Sequence, residues 1–239
     1  MATRIDFSEW TGRDPRSLPA YSVSDAAHYL RIPRSTLRAW VAGQAYRANG
    51  RAGLFRPIVT LPDDRLGLLS FINLVEAHVL DALRMQHQIS LQKVRRALQY
   101  LARELRTAHP LAEQRFETDG VNLFVRRYGQ LVNISESGQL AMRRVLETYL
   151  RRVERDEAGL VARLYPFTRK RNPDEPRAVV IDPRIAFGRP VLVGTGIPTA
   201  VIAERYKAGD SVDDLAGDYG GGRLEIEEAL RCELDVAAA

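Results

Sequence analysis

Two stretches of the chain have the pattern of a helix-turn-helix unit, and the two carry opposite charge. Residues 22–56 hold six arginines against a single acid, Asp25, for a net charge of +5. Residues 199–235 hold four basic and ten acidic residues, for a net charge of −6. Because the phosphates supply most of the affinity of a protein for DNA, only the first stretch is suited to enter a DNA groove. The sequence therefore predicts nucleic acid at one end of the chain and a different partner at the other.

The same asymmetry divides the whole chain, whose 239 residues fit one large domain or two small ones. Residues 1–177 contain 29 basic and 19 acidic side chains, whereas residues 178–239 contain six basic and eleven acidic side chains. The resulting net charges, +10 and −5, indicate an anionic partner for the N-terminal part.

Cysteine content and hydropathy point to a cytoplasmic protein. Cys232 is the only cysteine, so no disulfide can form within the chain, as is typical of a reducing cytosol. No apolar run reaches the ~18 residues that span a membrane, and the chain does not open on the apolar segment of a secretory signal. We therefore expect a cytoplasmic location and no membrane partner.

The spacing of apolar residues predicts a mainly α-helical fold with small β elements. Residues 1–20 are mixed and polar, which indicates an N-terminal arm. Ser24 is predicted to cap a first short helix, and Pro33 to begin a second one over about 34–41, because a proline is tolerated at a first helical position. The apolar positions of these two helices are Ala27, Leu30, Ile32, Leu37 and Trp40.

A wing and two longer helices are predicted to complete a winged helix-turn-helix domain over residues 21–107. Asn49-Gly50 is a strong tight-turn signal, and residues 54–60 suit the short strand that follows it. Apolar residues at helical spacing then predict helices over about 66–88 and 91–107.

Residues 108–167 are predicted to hold a small sheet and a helix, and they are the candidate dimerisation region. Alternating apolar and polar residues predict antiparallel strands within 115–134, and an apolar stripe predicts a helix over about 138–156. Residues 168–177 are polar and contain two prolines, so they are expected to link two domains.

Residues 178–239 are predicted to form an acidic C-terminal domain, a β-hairpin followed by three helices with helix-turn-helix spacing. The predicted strands and helices cover 178–182, 190–193, 198–207, 211–218 and 223–234.

The N-terminal pattern resembles the winged helix-turn-helix of MerR-like regulators over residues 20–106. The likeness rests on Tyr21-Ser-Val-Ser-Asp-Ala-Ala27, on Thr36-Leu-Arg-Ala-Trp40, on the Gly/Arg-rich wing and on Ile89-Ser-Leu91. It implies that the helix at 34–41 enters the major groove and that the wing flanks the DNA backbone.

Seven residues are predicted from this likeness to contact DNA. Those on the recognition helix combine arginines, which can contact guanine or phosphate, with short hydroxyl donors near the bases. Those on the wing are expected to contact phosphates, although a solvated basic helix beside a surface hairpin remains the alternative. The seven are Arg34, Ser35, Thr36, Arg38, Arg47, Arg51 and Arg56.

The segment from Ile181 to Thr199 resembles a small domain family that accompanies toxin–antitoxin modules and is marked by Gly-x-Pro-x-x-x-Gly-Thr-x-Ile-Pro. The likeness covers about 178–233, and many members have basic residues where this chain has Val193 and Gly196. Glycine and proline at this density first indicate tight turns, so the motif is predicted to be structural. Its matching residues are Gly188, Pro190, Gly194, Thr195, Ile197 and Pro198.

Together the two halves resemble a VapB-type antitoxin. That resemblance implies a PIN-domain ribonuclease toxin as partner and repression of the chain's own operon through operator DNA. A homodimer is expected, because winged-helix repressors use two-fold symmetry to contact paired half-sites. Two alternatives stay open: a free-standing regulator whose C-terminal domain senses a small ligand or a protein, and an enzyme that uses the acidic C-terminal helices.

The residues offer catalysis little support, and we expect no enzyme activity, no cofactor and no metal. The glycine-rich stretches 194–196 and 220–222 lack the Lys and Ser/Thr continuation of a P-loop and are predicted to be turns. Acids on the last two helices lack a histidine to complete a metal site, so they are expected to form a solvated face, suited to a basic patch on a partner. These acids are Asp213, Asp214, Asp218, Glu225, Glu227 and Glu228, and the chain's histidines, which show no ligand spacing, are His28, His78, His87 and His109.

Overall fold

A computed structural model describes residues 11–48, 51–84, 91–169 and 171–234. The described chain is mainly helical, with three two-stranded antiparallel sheets, and the predicted fold class is confirmed. In chain order the elements are α1 Val23–Leu30, α2 Arg34–Ala42, β1 Gln44–Ala48, β2 Arg51–Phe55, α3 Phe71–Arg84, α4 Leu91–Leu105, α5 Val121–Val132, α6 Glu136–Leu150, β3 Val153–Arg155, β4 Val161–Leu164, β5 Val179–Val180, β6 Val191–Leu192, α7 Thr199–Ala208, α8 Val212–Tyr219 and α9 Arg223–Glu233. None of these helices is long and apolar enough to cross a membrane.

The first two helices form as predicted, but the cap of α1 differs. Ser22, not Ser24, caps α1, because the Ser22 hydroxyl accepts the backbone N–H of Asp25 at 3.1 Å. Arg31 ends α1 in the left-handed region at φ 53°, and Pro33 then stands at the N-cap of α2. Such a left-handed residue reverses the chain, which lets α2 fold back against α1.

The wing is a hairpin, shorter on its second strand than predicted. Strands β1 and β2 pair from Gln44 with Phe55 to Ala48 with Arg51, and the turn signal Asn49-Gly50 lies outside the described residues. The strand predicted over 54–60 is wrong beyond Phe55. There the backbone leaves the hairpin, because the N–H groups of residues 58 and 59 both donate to the Trp40 carbonyl at 2.7 and 3.1 Å.

Helix α3 begins five residues later than predicted. Ser70 and Asn73 cap it reciprocally: the Ser70 N–H donates to Asn73 Oδ1 at 3.1 Å, and the Asn73 N–H donates to Ser70 Oγ at 3.2 Å. Residues 66–69 instead form a turn and a bridge, in which Leu69 pairs with Tyr21 at the start of the helix-turn-helix.

The strands predicted within 115–134 are wrong, because this region is helical. One π-helical turn over Phe116–Gly120 leads directly into α5. Phe116 is buried in this turn, and the buried positions of α5 follow the helical spacing i, i+3, i+4 and i+7 at Val121, Phe124, Val125 and Tyr128. The small sheet of the middle region lies after α6 instead, where β3 pairs with β4.

The C-terminal region forms the hairpin and three helices that were predicted. Strand β5 pairs with β6, and Gly220, in the left-handed region at φ 66°, makes the turn between α8 and α9. Cys232 is buried as a small packed side chain, and burial raises the pKa of its thiol to about 12. The core of this domain consists of Val179, Leu192, Ile202, Ala203, Leu215, Ile226, Ala229, Leu230 and Cys232.

Candidate nucleic-acid interface

Helix α2 presents a basic face to solvent. Leu37, Trp40 and Val41 are buried and fix its orientation. Arg34 and Arg38, one helical turn apart, lie on the exposed side together with Ser35, whereas Thr36 is half-buried. Three of the four predicted contacts on this helix therefore share one accessible surface.

The N-terminus of α2 adds partial positive charge to this surface. Pro33 offers no side-chain acceptor, so no side-chain cap covers the first-turn N–H groups beside Arg34. Backbone N–H groups and the helix dipole at such an end favour an anion such as a phosphate. A cleft of about 530 Å³ adjoins the helix, and its lining includes Arg34, Arg38, Pro57, Leu61 and Asp64.

The wing places its arginines on the hairpin next to α2. Arg47 pairs with Ala52 and Ala48 pairs with Arg51, so both arginines stand near the hairpin tip; their side chains lie outside the described part of the structure. Arg56 follows the hairpin and is exposed.

Helix α4 contributes a basic group that was not among the predicted contacts. Arg95 Nε and Nη2 are buried and have no hydrogen-bond partner among the described residues. Burial lowers the pKa of the Arg95 guanidinium, and the nearby charge of Arg56 lowers it further. An anion beside these two side chains would relieve that repulsion. Their closeness depends on how α4 packs against residues 57–60, which charge counting along the sequence does not reveal.

The turn of the helix-turn-helix is bound to the segment 168–177 and to α9. The Arg31 guanidinium donates to the backbone carbonyl of Thr168 and, at 3.3 Å, to that of Arg231. In return, Arg171 Nη2 donates to the Arg31 carbonyl at 2.7 Å. These reciprocal bonds hold the C-terminal domain against the unit that carries α2.

Arg171 also ties the segment 168–177 to the helical core. Its Nε lies 2.7 Å from Asp81 Oδ2, and the Asp81 side chain is only 2 % exposed. The Tyr149 hydroxyl donates to the same carboxylate at 3.1 Å. The segment therefore contacts α3 and α6 as well as the helix-turn-helix.

The acids of the C-terminal helices do not form one solvated face, contrary to the prediction. Glu228 is fully buried, and its carboxylate accepts from the Thr168 hydroxyl and from the guanidinium groups of Arg169 and Arg231. Although burial raises the pKa of Glu228, these donors lower it more, so the net shift is downward. Sequence periodicity places an acid on a helix face, but it cannot show that a distant arginine covers that face.

Several exposed acids of this domain are paired by the domain's own arginines. Arg223 lies 2.7 Å from Asp213, and Arg205 lies 2.6 Å from Asp210 and 2.7 Å from Asp218. Less acidic surface is therefore left for a partner than the net charge suggests.

The residues of the C-terminal motif shape two adjoining loops. A Cβ at Gly188 would collide with the Tyr21 hydroxyl, which brings the motif against the start of α1. The Thr195 hydroxyl donates to the Leu192 carbonyl at 3.0 Å and accepts the Ile197 N–H at 3.1 Å. The remaining motif residues are Pro190, whose carbonyl accepts from Thr199, Gly194 at φ 79°, and Pro198 at the N-cap of α7.

The described histidines contact other groups of the chain. His109 Nδ1 lies 2.9 Å from Glu76, His28 lies 3.5 Å from Glu233, and His78 is buried beside the Tyr149 carbonyl at 3.0 Å; His87 lies outside the described residues. Within the described ranges, no three His, Cys, Asp or Glu side chains come together as a metal-ligand set.

Two family models match the chain, one in each half. A family described as "Putative DNA-binding HTH domain" matches residues 19–98, and a family described as "Protein of unknown function (DUF433)" matches residues 179–231. The first match agrees with the winged helix-turn-helix built by α1, α2 and the hairpin.

Full-length relatives come from Mycobacterium tuberculosis. "Putative antitoxin VapB45" is 31% identical over 240 residues, an alignment that covers 93% of this chain and 95% of the relative. "Uncharacterized protein Rv2308" is 23% identical and covers 88% of each chain. The X-ray crystal structure of Rv2018 has a TM-score of 0.64 at 26% identity and covers 89% of this chain and 98% of that one. Both halves and their arrangement thus recur together in other proteins.

Proposed function

The chain belongs to the family of VapB-type antitoxins, and from that premise we propose that it neutralises a PIN-domain ribonuclease toxin by direct binding and represses its own operon by binding operator DNA. In this proposal the chain is a non-catalytic regulator. The winged helix-turn-helix binds DNA, and the C-terminal domain binds the toxin.

The exposed basic face of α2 is the observation that carries the DNA half of the proposal. Arg34 and Arg38 are exposed and form no ion pair with any described residue, so both charges are available to an anionic partner. Ser35 lies between them as a short hydrogen-bond donor. An arginine pair beside an uncapped helix N-terminus suits a phosphate backbone and the acceptor edge of guanine.

The salt dependence of DNA binding tests this half directly. We expect the full chain to shift a fragment of its own promoter, with an affinity that falls steeply as salt rises. Arg34→Gln and Arg38→Gln should each weaken binding and reduce the slope of log K against log salt by about 0.9, the value for one lost phosphate contact. Lys207→Gln, which removes an exposed cation from α7, is the matched control and should leave the slope unchanged. Equal slopes for all four proteins would show that α2 is not the DNA-binding surface.

A homodimer is part of the DNA-binding proposal, with residues 108–167 as its candidate interface. Two-fold repressors contact half-sites about one DNA turn, ~34 Å, apart. Light scattering of the purified chain should give twice the mass of one chain, and a footprint should cover two half-sites. A monomeric mass together with a single half-site would overturn the dimer.

Co-expression separates the antitoxin role from the alternative of a free-standing, ligand-sensing regulator. The reading frame adjoining this chain's gene is expected to encode a protein that arrests growth when expressed alone, and this chain should relieve the arrest and co-purify with it. A regulator that senses a small ligand would bind the promoter but retain no neighbouring gene product.

A further inference from the structure

A phenylalanine stands almost fully in solvent on one of the two motif loops. Phe187 is 93% exposed, more than the other large apolar side chains of the described residues. It lies between β5 and β6, in the C-terminal domain, and its ring contacts no other aromatic side chain among the described residues. A single exposed apolar side chain is common, but one that is fixed by its backbone and adjoins further exposed apolar surface marks a site that another molecule covers.

The backbone that carries Phe187 is strained and fixed. Ala186, Phe187 and Gly188 are all in the left-handed region, at φ 47°, 57° and 76°. Residues with a Cβ adopt this region at a cost in free energy, so two of them in succession persist only where their surroundings impose it. The Gly188 N–H donates to the Ile185 carbonyl at 2.8 Å, and Gly188 itself packs against Tyr21 of the N-terminal domain.

The rim of this loop is basic within an otherwise acidic domain. Arg184 and Arg189 flank Phe187, and both are exposed. Arg184 forms an ion pair with Asp182, with its Nε 3.1 Å from the carboxylate, whereas Arg189 forms no ion pair with a described residue. An aromatic centre with arginines at its edge is the composition typical of a protein-binding hot spot.

The second motif loop extends the same surface. A Cβ at Gly196 would lie 3.8 Å from the Ile185 side chain, so the loop over 193–196 adjoins the loop that carries Phe187. Val193 is exposed there, and a Cβ at Gly194 would meet nothing within 4 Å. Backbone without side chains allows a partner to approach closely.

We propose that these two loops are the docking surface for the protein partner of this chain, with Phe187 inserted into an apolar pocket whose rim carries carboxylates. Arg189 forms ion pairs with these carboxylates, and Arg184 adds positive charge to the same contact. The proposal rests on the proposed function, because the partner is the toxin. DNA is a poor occupant, since residues 199–235, in the same domain, carry a net charge of −6 and would repel phosphates.

Binding of the full chain to the purified product of the adjoining reading frame tests the surface. Phe187→Ala should raise Kd by roughly 30-fold, the loss typical of a buried aromatic anchor. Arg189→Glu should raise Kd about tenfold at low salt and much less at 0.5 M salt, because rim charges are screened. Leu224→Ala, a truncation of a half-exposed leucine on α9 of the same domain, is the matched control and should leave Kd unchanged.

Three further readouts distinguish the possible occupants. All variants should keep the wild-type melting temperature, because the side chains removed are exposed, and all should keep wild-type affinity for promoter DNA. A Phe187→Ala protein that binds the partner as tightly as wild type overturns the docking surface and leaves the antitoxin role intact. A loss of DNA affinity or of the native oligomer, with partner binding unchanged, assigns the loop to DNA or to a second copy and also overturns it. If the wild-type chain binds no neighbouring gene product, the proposed function fails and the docking surface fails with it.

Discussion

Arg171 is the side chain whose loss should most clearly show how the C-terminal part is tied to the winged helix. Replacement by methionine keeps the length of the side chain but removes the donor to Asp81 and the donor to the Arg31 carbonyl. Because Asp81 is 2 % exposed and sits on α3 within the core, its carboxylate cannot turn into water. The Tyr149 hydroxyl still donates to it, but the charge of the Arg171 guanidinium is gone.

The size of the effect follows from this burial. Removing one member of a buried ion pair costs about 3–5 kcal/mol, and the lower end applies because Arg171 is itself partly exposed. A loss of about 3 kcal/mol corresponds to a fall of roughly 6–12 °C in melting temperature for a chain of this length. Asp81→Asn should cost less, since the arginine left behind is partly exposed and can be hydrated, whereas the Asp81 carboxylate is buried in the core. The double variant should therefore be more stable than Arg171→Met alone.

Urea unfolding of the four proteins of this double-mutant cycle measures both the loss and the coupling. A coupling energy of roughly 2 kcal/mol is expected between the two sites, because each single change removes the same contact. Arg126→Met, a change to an exposed arginine on α5, is the control and should stay within about 0.5 kcal/mol of wild type. Additive single effects, or a double variant less stable than Arg171→Met, would show that the 2.7 Å contact does not hold the segment in solution.

Two further predictions concern the core and the motif. Burial lowers the pKa of His78 to about 3 from 6.5, so the unfolded chain binds a proton that the folded chain does not as pH falls below 6.5. Stability should drop by about 1.4 kcal/mol per pH unit from this group, or about 2 kcal/mol between pH 6.5 and 5. His78→Gln retains a donor for the Tyr149 carbonyl and should remove that part of the pH dependence in urea titrations. Glu76 raises the pKa of His109, so protonation of His109 stabilises the fold as pH falls, but this contribution is the same in both proteins. Gly188→Ala should destabilise the chain by more than Gly194→Ala, because both glycines have positive φ but only the first would place its Cβ against Tyr21, and equal melting temperatures for the two variants would contradict that packing.

Helical period and turn chemistry made most of the helices predictable, and the failures have specific causes. Helices α2, α4, α7 and α8 lie close to where the apolar spacing put them. The region 115–134 was predicted as strands because apolar and polar residues alternate there, whereas the packing of Phe116 and Phe124 in the core follows the helical period. The end of β2 depended on two N–H groups that bind the Trp40 carbonyl, a contact between elements that no local pattern encodes.

Only part of the candidate site could be predicted from the sequence. Arg34, Ser35 and Arg38 share one exposed face because i and i+4 positions must do so on any helix. Arg95 was not among the predicted contacts, since its closeness to Arg56 arises from the packing of α4. The sequence did not single out Phe187, because no local pattern shows that a left-handed backbone turns this side chain outward.

The two helix-turn-helix stretches carry opposite net charge, but ion pairs within the chain change how much of that charge each one offers to a partner. In the acidic stretch, Glu228 is buried under Arg169 and Arg231, and Arg205 and Arg223 pair with neighbouring acids. Many of those negative charges are therefore already engaged within the chain, and a paired exposed charge offers little to a partner. In the basic stretch, Arg34, Arg38 and Arg56 form no ion pair with a described residue. Net charge thus points to the same nucleic-acid end as the match to a putative DNA-binding domain, but it favours the acidic helices as the protein-binding surface, where we propose an exposed phenylalanine with a basic rim instead.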